Sequence, residues 1–281
     1  MDSNKIDFKK IPVQAGVISN IINLDIDSND YFRKLDDYIG SDQGVASLVL
    51  KVVNSPLYTR GNKVGTIPLA ISLLGYSVVR SLALLAFSRS LFSQTKNALF
   101  RLHIWQHSLL TAIASQSICR MLGNDKLTDE AFIAGLMHDT GKVLMFTQHP
   151  KLYEQTFEFL FANDCTSQHA EQRFFGFDHC RVGLDAVKEW RLPDRFNIYM
   201  GSELTERQQE LQADPVLLSL TAANYLVRSA GFGGNAVDDP EAKDAMLRNF
   251  GLDEGSREQL LQERFIESLM ENEIYQLCAS I

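Results

Sequence analysis

The chain has 281 residues, of which 45% are apolar and 22% charged, and a formal net charge of −8. This composition is ordinary for a folded globular protein, and the length suits one large domain or two small ones. The negative charge argues against broad attraction to DNA, RNA or anionic lipid.

Nearly every segment reads as helix. Residues 13–24 place Val13, Val17, Ile18, Ile21, Ile22 and Leu24 near helical spacing, and Asp27-Ser-Asn29 follow as a turn. A second helix is predicted from Asp30 to about Ile39. A third runs from Val45 to Val53 and stops at Asn54-Ser-Pro56. Residues 57–66, with Gly61, Asn62 and Gly65, read as a loop. Helix resumes over Ile67–Leu74, Gly75 breaks it, and Ser77 can cap the next helix to about Phe92. The stretch Ile67–Phe92 is the most apolar, but Arg80 and Arg89 interrupt it. A membrane span needs roughly 20 apolar residues, so a buried core helix is predicted. Its helix–Gly–helix outline resembles a helix-turn-helix, yet it is too apolar to read nucleic acid.

Residues 98–122 are predicted as one long helix carrying His103, Trp105 and His107. Thr128-Asp-Glu130 opens a helix ending at His138-Asp139, with Gly141 as its breaker. Further helices are expected over 151–163, from Thr166 or Ser167 to Phe174, and from Asp178 to Trp190. Pro193 opens another to about Leu204, and Pro215 one through Ala230. Residues 231–240 are the clearest loop. Short polar helices follow it, the last from about Ser256 to Cys278. No period-2 strand, repeat or low-complexity segment stands out, so the expected fold class is all-α. The expected organisation is an N-terminal helical lobe (1–97), a helical bundle (98–230) and a loop with C-terminal helices (231–281).

Cys119, Cys165, Cys180 and Cys278 form no Cys-x-x-Cys pair, and no apolar stretch follows Lys5, Lys9 and Lys10 as a signal peptide would require. Reduced, mostly buried thiols in a cytoplasmic protein are therefore expected. Cys180 reads as a small buried hydrophobe beside His179.

The most informative run is Ala134-Gly-Leu-Met-His-Asp-Thr-Gly-Lys142. Adjacent His138 and Asp139 at a helix end hold an imidazole and a carboxylate together. Nitrogen plus oxygen is a ligand set for a divalent ion such as Zn, Fe or Mn. Of the six histidines, His103 and His107 share a helix face and His179 opens another helix. Ligands converging from separate helices are how helical metal sites are built. His103, His149 and His169 read as surface or core residues, and Asn54 and Ser55 as a helix end. Phe157, Phe159, Phe161, Phe174, Phe175 and Phe177 read as packing.

These residues resemble the HDOD domain, a branch of the HD superfamily of metal-dependent phosphohydrolases, over roughly Pro12 to Leu204 and weakly to Leu226. The resemblance rests first on Ala46-Ser-Leu-Val-Leu-Lys-Val-Val-Asn-Ser-Pro-Leu-Tyr58 and Thr66-Ile-Pro-Leu-Ala-Ile-Ser-Leu-Leu-Gly75. It continues in Trp105-Gln-His-Ser108, Gly135–Lys142, Gly176-Phe-Asp-His-Cys-Arg-Val-Gly183 and Trp190-Arg-Leu-Pro193. It implies an N-terminal helical lobe packed on an HD-like bundle. It also offers His107, His138, Asp139 and His179 as ligand-like positions, and Lys142 as the lysine that lies near phosphate in active relatives.

The departures weigh equally. Where the HD enzymes place a late aspartate, this chain has Asn224. A His-His pair is missing from Tyr199-Met-Gly-Ser-Glu-Leu204, where Glu203 can supply one oxygen. The Gly-Tyr-Pro signature of cyclic-di-GMP phosphodiesterases is absent too. The resulting expectation is a bacterial, non-catalytic signalling module acting through other signalling proteins, with a depleted metal site. The alternative is a phosphohydrolase with one divalent ion. A third possibility is a sensor holding a phosphorylated small molecule or nucleotide. Neither nucleic-acid polymer nor membrane is expected as a partner, and the 231–281 tail is assigned only packing or partner contact. No second signalling domain is visible, so input and output are expected through another chain.

Overall fold

The structure is a computed structural model describing residues 6–8, 14–25, 28–56, 58, 63–92, 97–200 and 208–279. Among them every regular element is a helix. Five helices build the N-terminal part: α1 (Gln14–Ile22), α2 (Tyr31–Gly40), α3 (Gln43–Val53), α4 (Ile67–Leu74) and α5 (Tyr76–Phe92). Asp42 caps α3 by accepting from the Gly44 and Val45 amides, and Thr66 caps α4 through the Leu69 amide. Gly75 separates α4 from α5 at φ +77°, in the left-handed region that glycine enters without strain.

A short helix α6 (Ala98–Phe100) runs into a π-helical turn, Arg101–Gln106, and only then into α7 (His107–Met121). The expected continuous helix over 98–122 is thus interrupted immediately before His107. A 3₁₀ turn at Asp125–Leu127 leads to α8 (Thr128–Met137), and α9 (Thr140–Gln148) follows almost at once. The bundle continues with α10 (Pro150–Asn163), α11 (Ser167–Phe175), α12 (His179–Glu189), α13 (Phe196–Met200), α14 (Gln208–Leu211) and α15 (Pro215–Ser229). The helix expected to reach Leu204 is described only as far as Met200. In the tail, α16 (Pro240–Asn249) follows the loop, and α17 (Glu254–Leu260), α18 (Arg264–Glu271) and α19 (Glu273–Cys278) replace the single helix expected over 256–278.

The centre of the bundle is α7, packed on α8 and α15, with α12 lying against α9 and α5 against α8. Every residue of α7 from His107 to Ser115 is buried. Close approach is achieved with glycine. A Cβ on Gly135 would fall 2.6 Å from the Ala112 Cα, and one on Gly141 only 2.0 Å from the His179 carbonyl oxygen. Gly141 is therefore no helix breaker: it lies inside α9 and brings α9 against the start of α12.

Polar ties join the N-terminal helices to the rest. The Ser19 hydroxyl donates to the Trp190 carbonyl, and Asn23 Nδ2 donates to the Arg191 carbonyl at 2.9 Å. Arg191, just past the end of α12, sits at φ +50°. Buried apolar side chains form one continuous cluster from Ile6 to Cys278, so N-terminal lobe, bundle and tail share a core. No helix of the described residues is long and apolar enough to cross a membrane.

Candidate metal centre

His107 is the first residue of α7, and the π-turn before it resets the phase of the helix. Such turns recur at functional sites. His138 and Asp139 occupy the break between α8 and α9. The four residues before His138 are all buried, which fixes the direction in which the pair points. His107, His138 and Asp139 each present one ligand atom, and these atoms lie within 4.8 Å of one another. The two Nε2 atoms are 3.1 Å apart, and the Asp139 Oδ2 lies 3.3 Å from that of His107 and 3.4 Å from that of His138.

The tautomers follow from the other ring nitrogens. His107 Nδ1 donates to the Phe232 carbonyl at 3.0 Å, and His138 Nδ1 to the Gly135 carbonyl at 2.8 Å. A carbonyl oxygen only accepts, so each Nδ1 carries the proton and each Nε2 presents a lone pair. This carbonyl bracing is the usual support behind a metal-ligating histidine. Burial pushes His107 down to about 4 and also lowers His138, so neither ring readily takes a second proton. Two lone pairs and a carboxylate oxygen thus converge on one buried point. That donor set fits a single divalent ion of the Zn, Fe or Mn kind.

The same oxygen is also claimed from within. Lys142 Nζ lies 2.9 Å from Asp139 Oδ2, one turn into α9. Burial opposes ionisation of Asp139, but the positive charge gathered around it, with Lys142 in direct contact, holds its carboxyl well below the usual range. Lys142 therefore lies against Asp139 and is 6% exposed, instead of reaching outward toward a phosphate.

His179 starts α12 and stands apart from the three-residue cluster. Its Nε2 is 3.7 Å from the other Asp139 oxygen, Oδ1, and 3.6 Å from Cys180 Sγ. Its Nδ1 donates to Glu171 Oε2 at 2.6 Å, and the same oxygen accepts from the His179 backbone amide at 2.8 Å. Burial alone would lower this imidazole; the Glu171 carboxylate raises it well above the histidine range. Glu171 thus favours the imidazolium form, with Nε2 turned toward Asp139 Oδ1.

Asn224 lies on α15, which packs on α7 and α8; it is 8% exposed and its Oδ1 has no hydrogen-bond partner. Glu203 lies outside the described residues.

Three contributors escaped the sequence reading. Glu171 is fully buried, and its second oxygen accepts from the Tyr153 hydroxyl at 2.5 Å. Phe232 sets the His107 tautomer from the loop assigned to packing or partner contact. Gly233 lies so close that a Cβ there would be 2.7 Å from His107 Nδ1, and its amide donates to His103 Nδ1 at 3.2 Å. A glycine-rich loop was the only signal for the last two; nothing in sequence separated Glu171 from a solvent-facing acid.

Comparison with known proteins is decisive at the level of family. The HDOD domain family matches residues 11–202. The chain belongs to the HDOD domain family. Among solved structures, an HDOD domain protein of unknown function from Geobacter sulfurreducens superposes with a TM-score of 0.69 at 23% identity, covering 98% of this chain and 92% of that one. A candidate phosphohydrolase from Shewanella amazonensis SB2B gives 0.67 at 18% identity, covering 92% of each chain. A candidate signal transduction protein from Marinobacter aquaeolei VT8 gives 0.66 at 21%, covering 99% of this chain and 61% of that one. These likenesses establish the HDOD helical fold. A curated relative, an uncharacterized protein of Treponema pallidum (strain Nichols), is 19% identical over 192 residues, or 68% of this chain. The chain spans 37% of that relative's length.

Proposed function

We propose that this HDOD protein is a non-catalytic signalling module that acts through contacts with other proteins. The observation that carries this reading is the closed charge balance of the buried cluster. Asp139 and Glu171 supply two carboxylates; Lys142 and His179 supply two cations. All four are 0–8% exposed. Buried charges persist when they are paired in this way. A divalent ion placed on His107, His138 and Asp139 would add two charges to a set already neutral, so Lys142 would have to leave Asp139. Asn224, neutral at the position of the late HD carboxylate, would hold the ion more weakly than a carboxylate does. A phosphoester would also have to reach atoms that solvent scarcely touches. The relative from Marinobacter aquaeolei, described as a candidate signal transduction protein, is consistent with this reading.

A second reading is carried by the two opposed Nε2 lone pairs: a phosphohydrolase with a mononuclear site. His107, His138 and Asp139 would hold the ion, which supplies Lewis acidity toward a phosphoester. Asp139 would stay ionised, the Phe232 and Gly135 carbonyls would keep both imidazoles in the ligating tautomer, and Lys142 would turn to the phosphoryl oxygens. The structural relative from Shewanella amazonensis, described as a candidate phosphohydrolase, motivates this alternative.

Metal content of the native protein, measured by mass spectrometry, separates the two. The signalling reading expects well under one equivalent of Fe, Mn or Zn, rising when Lys142→Met frees the Asp139 oxygen. Near one equivalent in the native chain, lost in Asp139→Ala and accompanied by turnover of a phosphodiester such as bis(4-nitrophenyl) phosphate, would establish the enzyme instead.

A further inference from the structure

Away from the histidine cluster, a cleft of about 280 Å³ opens where the N-terminal helices, the bundle and the tail meet. Tyr58 and Ser81 line it from one side, Arg120 and Asp129 from another, and Leu82 and Phe132 give it an apolar wall. Asn272, at the junction of α18 and α19, closes it from the tail.

The Asn54-Ser-Pro-Leu-Tyr58 motif supplies the aromatic ring. Asn54 holds both ends of its loop: Nδ2 donates to the Leu50 and Val64 carbonyls, at 2.7 and 2.8 Å, and Oδ1 accepts from the Val64 amide at 2.8 Å. The motif that reads in sequence as a helix end therefore also places Tyr58 in the cleft.

Two polar groups of the cleft are left with unused capacity. Ser81 is 6% exposed and its Oγ has no hydrogen-bond partner. Leaving such a group unpaired is unfavourable, and a ligand donor would relieve it. Asp129 has no ion-pair partner among the described residues. It shares the cleft with Tyr58, where burial, then Asp129 and Glu273, push the Tyr58 hydroxyl up to about 12. Among the described residues Arg120 pairs only with Asp125, at 4.0 Å, and 61% of its side chain is exposed, so it can swing over the mouth.

One free carboxylate, one loosely held guanidinium and an apolar wall call for a ligand that is neutral overall but carries both charges. The volume lies just below the roughly 300–1,000 Å³ of ordinary ligand pockets, which suits a small metabolite and is tight for a nucleotide. We propose that the cleft binds an α-amino acid with an apolar side chain. Its ammonium meets Asp129 and Ser81, its carboxylate meets Arg120, and its side chain lies along Val78 and Ile274, which also line the cleft. Such a ligand would tie α5, α7, α8 and the tail together. The inference is independent of the metal centre and supplies an input to a signalling module that has none on the histidine side.

Calorimetric titration of the full chain tests it, with valine, leucine, isoleucine, methionine and phenylalanine as probes. Each is paired with its α-amide, which lacks the carboxylate, and its N-acetyl form, which lacks the ammonium. We expect saturable one-to-one binding of at least one free amino acid, weakened ~10-fold or more (about 1.4 kcal/mol) by either blocking group. Asp129→Asn and Arg120→Gln should each weaken it comparably while circular dichroism and the unliganded melting temperature stay unchanged. If either variant unfolds, Ser81→Leu, which fills the cleft with apolar volume, replaces it and must abolish binding. The proposal is overturned if no probe saturates at millimolar concentration, if amides bind as well as free acids, or if the folded variants keep full affinity.

Discussion

Asp139 meets Lys142 through one oxygen and His179 through the other, so its substitution exposes the cost of a broken buried pair. Asp139→Asn should destabilise the fold by about 3–5 kcal/mol, because the Lys142 charge is left without compensation. The double change Asp139→Asn, Lys142→Met should recover most of the loss in urea melts; a single variant within ~1 kcal/mol of the parent would remove the charge-balance account. Histidine titration acts on the same fold. Burial, then the Lys142 charge, lowers His103 to about 4, against about 6.5 for an unfolded histidine. Burial brings His107 to about 4 as well, outweighing Asp139. Between these values the unfolded chain binds more protons, so stability falls as pH drops from about 6.5 toward 4. Thermal melts across that range should show the decline, and His103→Gln, whose amide oxygen can still accept from Gly233, should flatten part of it. At this scale His107, His138 and Asp139 were legible because their chemistry is specific. Glu171 was not: in Ser-Gln-His-Ala-Glu171 it looks solvated until α10 and α12 close around it.

Helix ends were read well where glycine, proline or a capping side chain marked them, as at Asn54, Gly75, Thr166 and Asp178. The π-turn before His107 carries no such mark: no glycine or proline lies between Ala98 and Met121. The division of the tail into α17, α18 and α19 was hidden for a related reason: no glycine or proline lies between Ser256 and Cys278. Gly141 was noticed but misassigned, since its role belongs to the contact between two helices. Gly141→Ala must push α9 from α12 and should cost at least the 1–3 kcal/mol typical of overpacking. Gly40→Ala is the control. A Cβ there meets nothing within 4 Å, so stability should hold or rise by about 0.4–1 kcal/mol. Equal losses in the two variants by chemical denaturation would contradict a packing origin.

Across the whole molecule the tail acts as a clasp. Trp105 is fully buried and its Nε1 donates to the Cys278 carbonyl at 2.8 Å, while Gln106 Nε2 donates to the Ala279 carbonyl at 3.3 Å. Trp105→Phe should leave the Cys278 carbonyl without its donor, at a cost of about 1–3 kcal/mol, and should make α19 cleave faster under limited proteolysis. An unchanged cleavage rate would show that apolar packing alone holds the tail. The all-helical architecture was legible from periodicity, and the lobe-on-bundle order from the motifs. The clasp was not, because its partners are more than 170 residues apart and one of them is a backbone oxygen.

The bond from His107 to Phe232 has a consequence for biosynthesis. His138 and Asp139 leave the ribosome roughly a hundred residues before Phe232, a delay on the order of 5–20 s at ordinary elongation rates. Throughout that interval the His107 ring is free to exchange tautomers. Its support therefore arrives last: the imidazole is fixed with Nε2 toward His138 only when the final fifth of the chain folds and the Phe232 carbonyl reaches Nδ1.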